Sequence, residues 1–359
     1  MLISESISRD ATIVFARGER DYTFRDVVDW ALVAGHLDPL WREFRHTLEC
    51  DREAEKHDLE ADDDAVSDAS IQFRYKYDLI TAEETEKWLG ERGLDLSDFS
   101  AHFVRKYWGQ SYSGEVATPD VSYEKASAEE KDLFLITLIV DGEMERLSLE
   151  LSRRVAAEVG AEPPAAAEVA AVRADFLARA KIEKVDSWLR AMGRDEAWLD
   201  ETLKAEAIYR KSVDALTSEK ELVRELNPLR LLMTRFEIET VEVDSKDAAS
   251  EVVACVRDDG MQMEEVATEG RYPFNRHDVL LEDIAPETQP RFLSVKAGTL
   301  MEPVGRGEGY EVMRVTVRTE PTLADPAVRT RLEQRLSARH FSEIIAKRIA
   351  WRIMPQPAE

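Results

Sequence analysis

Phe236-Glu-Ile-Glu-Thr-Val-Glu-Val243 is the stretch on which the fold class of this 359-residue chain turns. Its alternation lets Phe236, Ile238, Thr240 or Val241, and Val243 share the buried side of a strand while the glutamates face water. Asp244 to Asp247 follows as a cap-rich turn. Ala248 to Asp259 then carries Val252, Val253, Cys255 and Val256 at helical spacing up to a stop at Gly260, so a strand passes into a helix. Further on, Phe292 to Val304 reads as a short helix end, a turn on Gly298 and an extended piece through Glu302 and Pro303. After a loose turn over Gly305 to Gly309, the run from Gly309 to Arg318 alternates again as a strand. Gly305-Arg-Gly-Glu-Gly309 lies between two strands with no helix after it, which makes it turn chemistry rather than a phosphate loop.

This order of strand, helix, hydrophobic segment, "V-x-x-G-x-L-x-x-P-V" and "G-Y-x-V-x-x-V" resembles the parvulin-type peptidyl-prolyl isomerase domain. The resemblance spans about 80 residues, and its second half is the more specific. Parvulins carry a histidine in the first strand, where this chain has Glu239 or Thr240. Their last strand reads Gly-Tyr-His, where this chain has Gly309, Tyr310 and Glu311. The glycine-rich turn before the substrate-facing helix is replaced by Gly270 to His277. Turning an X-Pro bond means lowering a barrier of about 18 to 20 kcal/mol. Carboxylates in place of paired imidazoles put like charges beside a site that should be dry, which is costly unless they are solvated or paired. The resemblance therefore implies a groove that binds a peptide rather than an isomerase. Leu281, Ile284, Phe292, Leu293 and Met301 match its apolar pocket, beside Tyr310. Glu239 and Glu311, at the lost histidine positions, are expected to select a basic or amine-bearing client.

Against 48 Lys and Arg stand 73 Asp and Glu, a formal charge of -25, which excludes a nucleic-acid backbone as an expected partner. Cys50 and Cys255 both fall in helical patterns and offer no disulfide framework. The first ten residues have neither a basic region nor an apolar core, and no segment approaches 18 consecutive apolar residues, so no secretory signal or membrane span is expected. These features predict a soluble, cytoplasmic protein.

The region before Phe236 is read as helical. Ala11 to Ala16 is a short strand, and Thr23 with Asp26 has capping-box spacing for a helix carrying Val27, Val28, Trp30, Ala31 and Leu32. Leu40, Trp41, Phe44 and Leu48 belong to the next helix. Asp62-Asp-Asp64 lacks the central glycine of a calcium loop and reads as a cap for a helix over 65–77. Thr81 to Glu84 is a capping box before Trp88, and Ser97 caps a helix with Phe99, Phe103 and Trp108; a linker occupies 109–127. A long helix from Leu133 to Val159 opens a second module. In it 169–180, 182–192 with Trp188, and 198–209 match 65–77, 81–89 with Trp88, and 99–108, the pattern of a duplication. Glu219 to Leu232 is a helix interrupted at Pro228. A last helix, Ala327 to Ile353, is lined by Leu332, Leu336, His340, Phe341, Ile344, Ile345, Ile349 and Trp351. Modules of this kind resemble the N-terminal regions of SurA-type and PrsA-type foldases.

The expected fold is α+β, with a mainly helical chaperone-like N-terminal region, a small parvulin-like α/β domain and a C-terminal helix. Its parts are a helical module over 1–115, a second over 128–234, the parvulin-like domain over 235–320, and 321–359 packing back on the helical region. No catalytic triad, paired-carboxylate motif or metal spacing stands out among the six histidines, and no cofactor or metal is expected. His277 lies in the segment that replaces the glycine turn and could supply an imidazole. The expected function is non-catalytic, chaperone-like binding of a peptide or unfolded segment. Similar proteins encoded beside peptide natural-product precursors make a precursor peptide the favoured client. The alternatives are an active prolyl isomerase and a dimeric scaffold whose aromatic helices pair with a second copy.

Overall fold

Residues 9–307 and 309–353 are described by the structure, a computed structural model; the reading of Met1 to Ser8 and of Glu308 lies outside them. The architecture is α+β, in two units: Met1–Ser212 with Arg339–Glu359, and Val213–Ala338.

In the first unit β1 (Ile13–Arg17) turns at Gly18, φ +61°, into β2 (Arg20–Thr23). Thr23 and Asp26 then form the reciprocal cap of α1 (Phe24–Ala34), which buries Val27, Val28, Trp30 and Leu32. α2 (Leu37–Lys56) buries Trp41, Phe44 and Leu48. α3 (Asp63–Lys76) is capped by Asp62, and α4 (Ala82–Glu91) by the box of Thr81 and Glu84. α5 (Leu96–Ser111) starts two residues earlier than expected: Asp95 caps it, in a box with Asp98, because its carboxylate reaches the Asp98 amide, and Ser97 lies inside the helix. The 109–127 segment is not simply a solvated linker. Its Val121 carbonyl accepts from Trp41 Nε1 at 2.7 Å, and the Tyr123 ring meets Trp41 at 5.4 Å.

The expected long helix from Leu133 to Val159 is two helices, α6 (Ala128–Val140) and α7 (Glu143–Ala157). Gly142, at φ +82°, adopts a left-handed conformation that ends one and starts the other. α8 (Ala166–Arg179), α9 (Val185–Met192) and α10 (Glu196–Leu216) follow. They reproduce the local geometry of α3 to α5. Phe73 meets Trp88 edge-on at 5.1 Å, and Phe176 meets Trp188 edge-on at 5.2 Å. The connecting turns place Asp78 at φ 54° and Lys181 at φ 52°, then Gly93 at φ 69° and Gly193 at φ 62°.

The second unit begins within α10 and adds α11 (Glu219–Leu229), with Pro228 inside its last turn. β3 (Arg235–Val243) leads to α12 (Lys246–Arg257), capped by Ser245, then α13 (Met263–Gly270) and β4 (Phe274–Leu280). Sequence reading gave neither α13 nor β4; the latter occupies the segment taken as a replaced turn. α14 (Gln289–Ser294), β5 (Thr299–Leu300), β6 (Val304–Arg306) and β7 (Gly309–Thr319) complete an antiparallel sheet of order β4-β3-β7-β5, with β6 also on β7. One face buries Val241, Val243 and Val312 beneath Ala249 and Val252 of α12 and Met263 of α13. The other buries Phe236, Ile238, Met313 and Val315 with Phe292 of α14.

α15 (Pro326–Arg348) begins in this unit, where Val328 and Leu332 pack with Leu222 and Leu226 of α11. It ends at Arg348, short of the expected Ile353. The last described residues form β8 (Ala350–Trp351), which pairs antiparallel with β1, and Trp351 meets Phe15 edge-on at 5.2 Å.

Candidate functional site

Of the eight residues assigned to peptide binding, Glu239, Tyr310 and Glu311 lie on strands of the second unit's sheet, and the five apolar ones pack against one of its faces. β3 and β7 are antiparallel neighbours at its centre, with Ile238 opposite Val315, Thr240 opposite Met313 and Glu242 opposite Glu311. Side chains alternate along each strand. Glu239 therefore shares the α12 and α13 face with Val241 and Val243, and Tyr310 packs against the same cluster. Leu281, Ile284, Phe292, Leu293 and Met301 gather on the α14 face. Glu311, alternating with Met313, falls on that face too.

Glu239 corrects the expectation that the β3 glutamates face water: it is 2% exposed. Its register explains how a carboxylate is tolerated there. Arg276 on β4 and Arg314 on β7 stand directly opposite it on the two neighbouring strands. Arg276 Nη2 donates to Oε1 at 2.5 Å, and Arg314 donates to Oε2 from Nη2 at 2.5 Å and from Nε at 2.8 Å. A buried carboxylate is stable only when paired and hydrogen-bonded. Two guanidiniums around one carboxylate leave the triplet with one net positive charge, so Glu239 offers no free negative charge to a basic client. The hydrogen bond to Glu239 likewise holds the Arg276 guanidinium above its ordinary pKa.

Glu311 is also engaged. Its side chain is 16% exposed and accepts from Arg306 Nη1 at 2.9 Å, and the same guanidinium lies 3.9 Å from Glu242 on the neighbouring strand. An arginine on β6 thus relieves a like-charge pair across β3 and β7. Of the two positions matched to the first histidine, Thr240 shares the face of Glu311, whereas Glu239 lies behind the sheet. His277 is exposed on the edge strand β4, opposite Ile238.

The five apolar positions come together, but three of them are core rather than groove wall. Leu281, Phe292 and Met301 are 0%, 2% and 4% exposed, and Phe292 meets Phe236 edge-on at 5.4 Å. Their large side chains fill the space between α14 and the sheet. Ile284 and Leu293 remain half-buried, and with Val279, Val295 and Val304 they form the accessible rim of this cluster. Sequence reasoning found Ile284 and Leu293 of that rim but missed Val279, Val295, Val304 and the three arginines. Arg276 and Arg314 could be found only with the strand register in hand. Among the described residues no group of three or more His, Cys, Asp or Glu side chains is placed to hold a metal.

The fold and this site define an α+β chain with an antiparallel sheet covered by helices on both faces, joined to a larger helical unit. Solved structures similar to it include the peptidylprolyl isomerase PrsA of Bacillus cereus, at 16% identity and TM-score 0.35, covering 64% of this chain and 89% of that one. PrsA of Bacillus anthracis matches at 16% identity and TM-score 0.32, covering 56% and 96%. A SurA-like chaperone of Campylobacter jejuni matches at 11% identity and TM-score 0.18, covering 60% and 87%. No family model matches the sequence, and no curated protein matches it.

Proposed function

We propose that this protein holds an extended peptide segment against the α14 face of its five-stranded sheet and performs no covalent chemistry. The observation that carries this reading is an apolar floor containing two methionines, Met301 and Met313, beside a half-exposed rim of Val279, Ile284, Leu293, Val295 and Val304. Methionine's flexible, polarisable side chain lets such a surface repack around different clients. β4, which carries Val279, is an edge strand of the sheet, where an extended segment can add main-chain hydrogen bonds. Thr240 and Glu311, at the positions that the parvulin resemblance gives to imidazoles, share that face as a buried hydroxyl and a carboxylate tied to Arg306. That pair supports holding a chain rather than rotating its X-Pro bond. Of the client classes, a precursor peptide of natural-product type is the first to test, from the sequence resemblance alone.

The test is fluorescence anisotropy with labelled, proline-containing peptides drawn from such precursors, alongside a protease-coupled isomerisation assay. Ile284→Glu and Leu293→Glu place charge on the half-exposed rim and are expected to weaken binding at least tenfold. Unchanged affinity in both variants refutes the location. Acceleration of isomerisation above background refutes the absence of catalysis.

A further inference from the structure

The first unit contains a cavity of about 470 Å³ between α2, α5 and α6, within the usual range for small-ligand pockets. Phe44, Phe134 and Leu138 give it an apolar wall. Arg105, 6% exposed, also lines it, and its Nε and Nη1 have no hydrogen-bond partner. The Asp51 carboxylate stands 3.8 Å from Nε, an ion-pair separation beyond hydrogen-bond length. A guanidinium has only donors, so what would satisfy Arg105 is an acceptor. Burial holds this guanidinium below its ordinary pKa, against the opposing pull of Asp51 and Asp98.

The other charges around the cavity are matched locally. Lys106 donates to Asp141 at 2.6 Å, and Glu143 is held by Arg146 at 2.7 Å. Glu43 is exposed to solvent. His102, 2% exposed, lines the cavity, with Nε2 at 3.2 Å from Asp141 but out of hydrogen-bond alignment, and Nδ1 unpartnered. The cavity therefore combines a guanidinium whose Nε and Nη1 lack hydrogen-bond acceptors and the imidazoles of His102 and His46 with an aromatic and aliphatic wall.

We infer that this cavity is a binding site for a carboxylate carried on an apolar body, the carboxylate meeting Arg105 and the body lying against Phe44, Phe134 and Leu138. A carboxylate is the acceptor that forms the strongest, charge-assisted hydrogen bonds with a guanidinium. The same chemistry is presented by the C-terminal residue of a peptide ending in an apolar side chain and by a free arylalkanoic acid. The site lies wholly in the first unit and does not rest on the sheet reading.

Isothermal titration of the full chain with 3-phenylpropanoate, its amide, the tripeptide Ala-Ala-Phe and that tripeptide's C-terminal amide tests the inference. Each acid that binds is expected to do so at least tenfold more tightly than its amide. Binding of the tripeptide acid alone assigns the site to chain termini, and equal binding of phenylpropanoate assigns it to free acids. Arg105→Met is expected to weaken the acid at least tenfold. Gln110→Trp, at an exposed cavity-lining position, should do the same with Arg105 intact, which keeps the test decisive if the buried substitution does not fold. Equal affinity for acid and amide, no binding of either, or full affinity in a folded Arg105→Met variant overturns it.

Discussion

Replacing Glu239 by Gln probes the most heavily paired carboxylate of the second unit. The substitution keeps the shape and removes the charge that Arg276 and Arg314 surround. Taking one partner from a buried ion pair costs about 3 to 5 kcal/mol, because the other charge is left without compensation. The two arginines differ in how far they can escape that cost. Arg276 has a side chain 60% exposed and can return to water, so its share of that cost is small. Arg314, 17% exposed, is confined between strands and carries most of the loss. The expected cost of Glu239→Gln is therefore about 2 to 4 kcal/mol, and that of Arg276→Gln is smaller. Native-state hydrogen exchange at the β3 and β7 amides reads this locally, which a whole-chain melt of two units does not. Exchange there should accelerate roughly 30- to 700-fold, since each 1.4 kcal/mol is a factor of ten. A double-mutant cycle should give a larger coupling for Glu239 with Arg314 than with Arg276. Unchanged protection in Glu239→Gln refutes the structural role. So does a tenfold loss of peptide affinity with protection intact, which would make the carboxylate a recognition group after all.

Three further outcomes are expected. Gly142→Ala, placing a side chain at φ +82° with a Cβ 3.0 Å from Tyr77 Oη, should lower stability by about 1 to 2 kcal/mol in urea titration followed by circular dichroism. Trp88→Ala and Trp188→Ala remove matching rings that are 7% and 6% exposed, and each should cost about 3 to 5 kcal/mol; if one is silent, the two helix trios are not energetic equivalents. Burial alone would raise the pKa of Glu150, but the Arg154 and Arg153 charges outweigh it and hold the carboxyl below its ordinary value of 4.5. A depressed folded pKa means its stabilisation is complete above pH 4.5 and is lost as pH falls through the folded value. Glu150→Gln should thus lower urea stability at neutral pH and flatten its acid dependence, while an unaltered acid limb would contradict the pairing.

Much of the local structure was legible because its causes are local. The alternation at Phe236 to Val243 gave β3, and reciprocal caps at Thr23 with Asp26 and Thr81 with Glu84 fixed helix starts that the structure reproduces. Gly142 was passed over because helix-favouring residues continue on both sides of it, apolar from Leu133 to Val140 and amphipathic from Glu143 onward, and only its backbone angle marks the break. β4 was missed because an edge strand with four exposed residues in succession lacks the buried alternation by which strands are recognised. For the candidate site, the apolar set was found as a set, yet which members form floor and which form rim depends on where α14 lies. The burial of Glu239 depends on cross-strand register, which is a long-range property. The separation of Tyr310 from Glu311 follows from the pleat alone, which sends adjacent residues of one strand to opposite faces.

The pairing of β8 with β1 joins residues more than 330 positions apart. During synthesis β1 emerges early with one flank on β2 and the other bare, an open template for a stray strand. That flank is covered only once Ala350 and Trp351 have left the ribosome. A chain cut short before them would keep one full row of β1 backbone donors and acceptors unpaired, so loss of two residues at one end leaves a defect at the other.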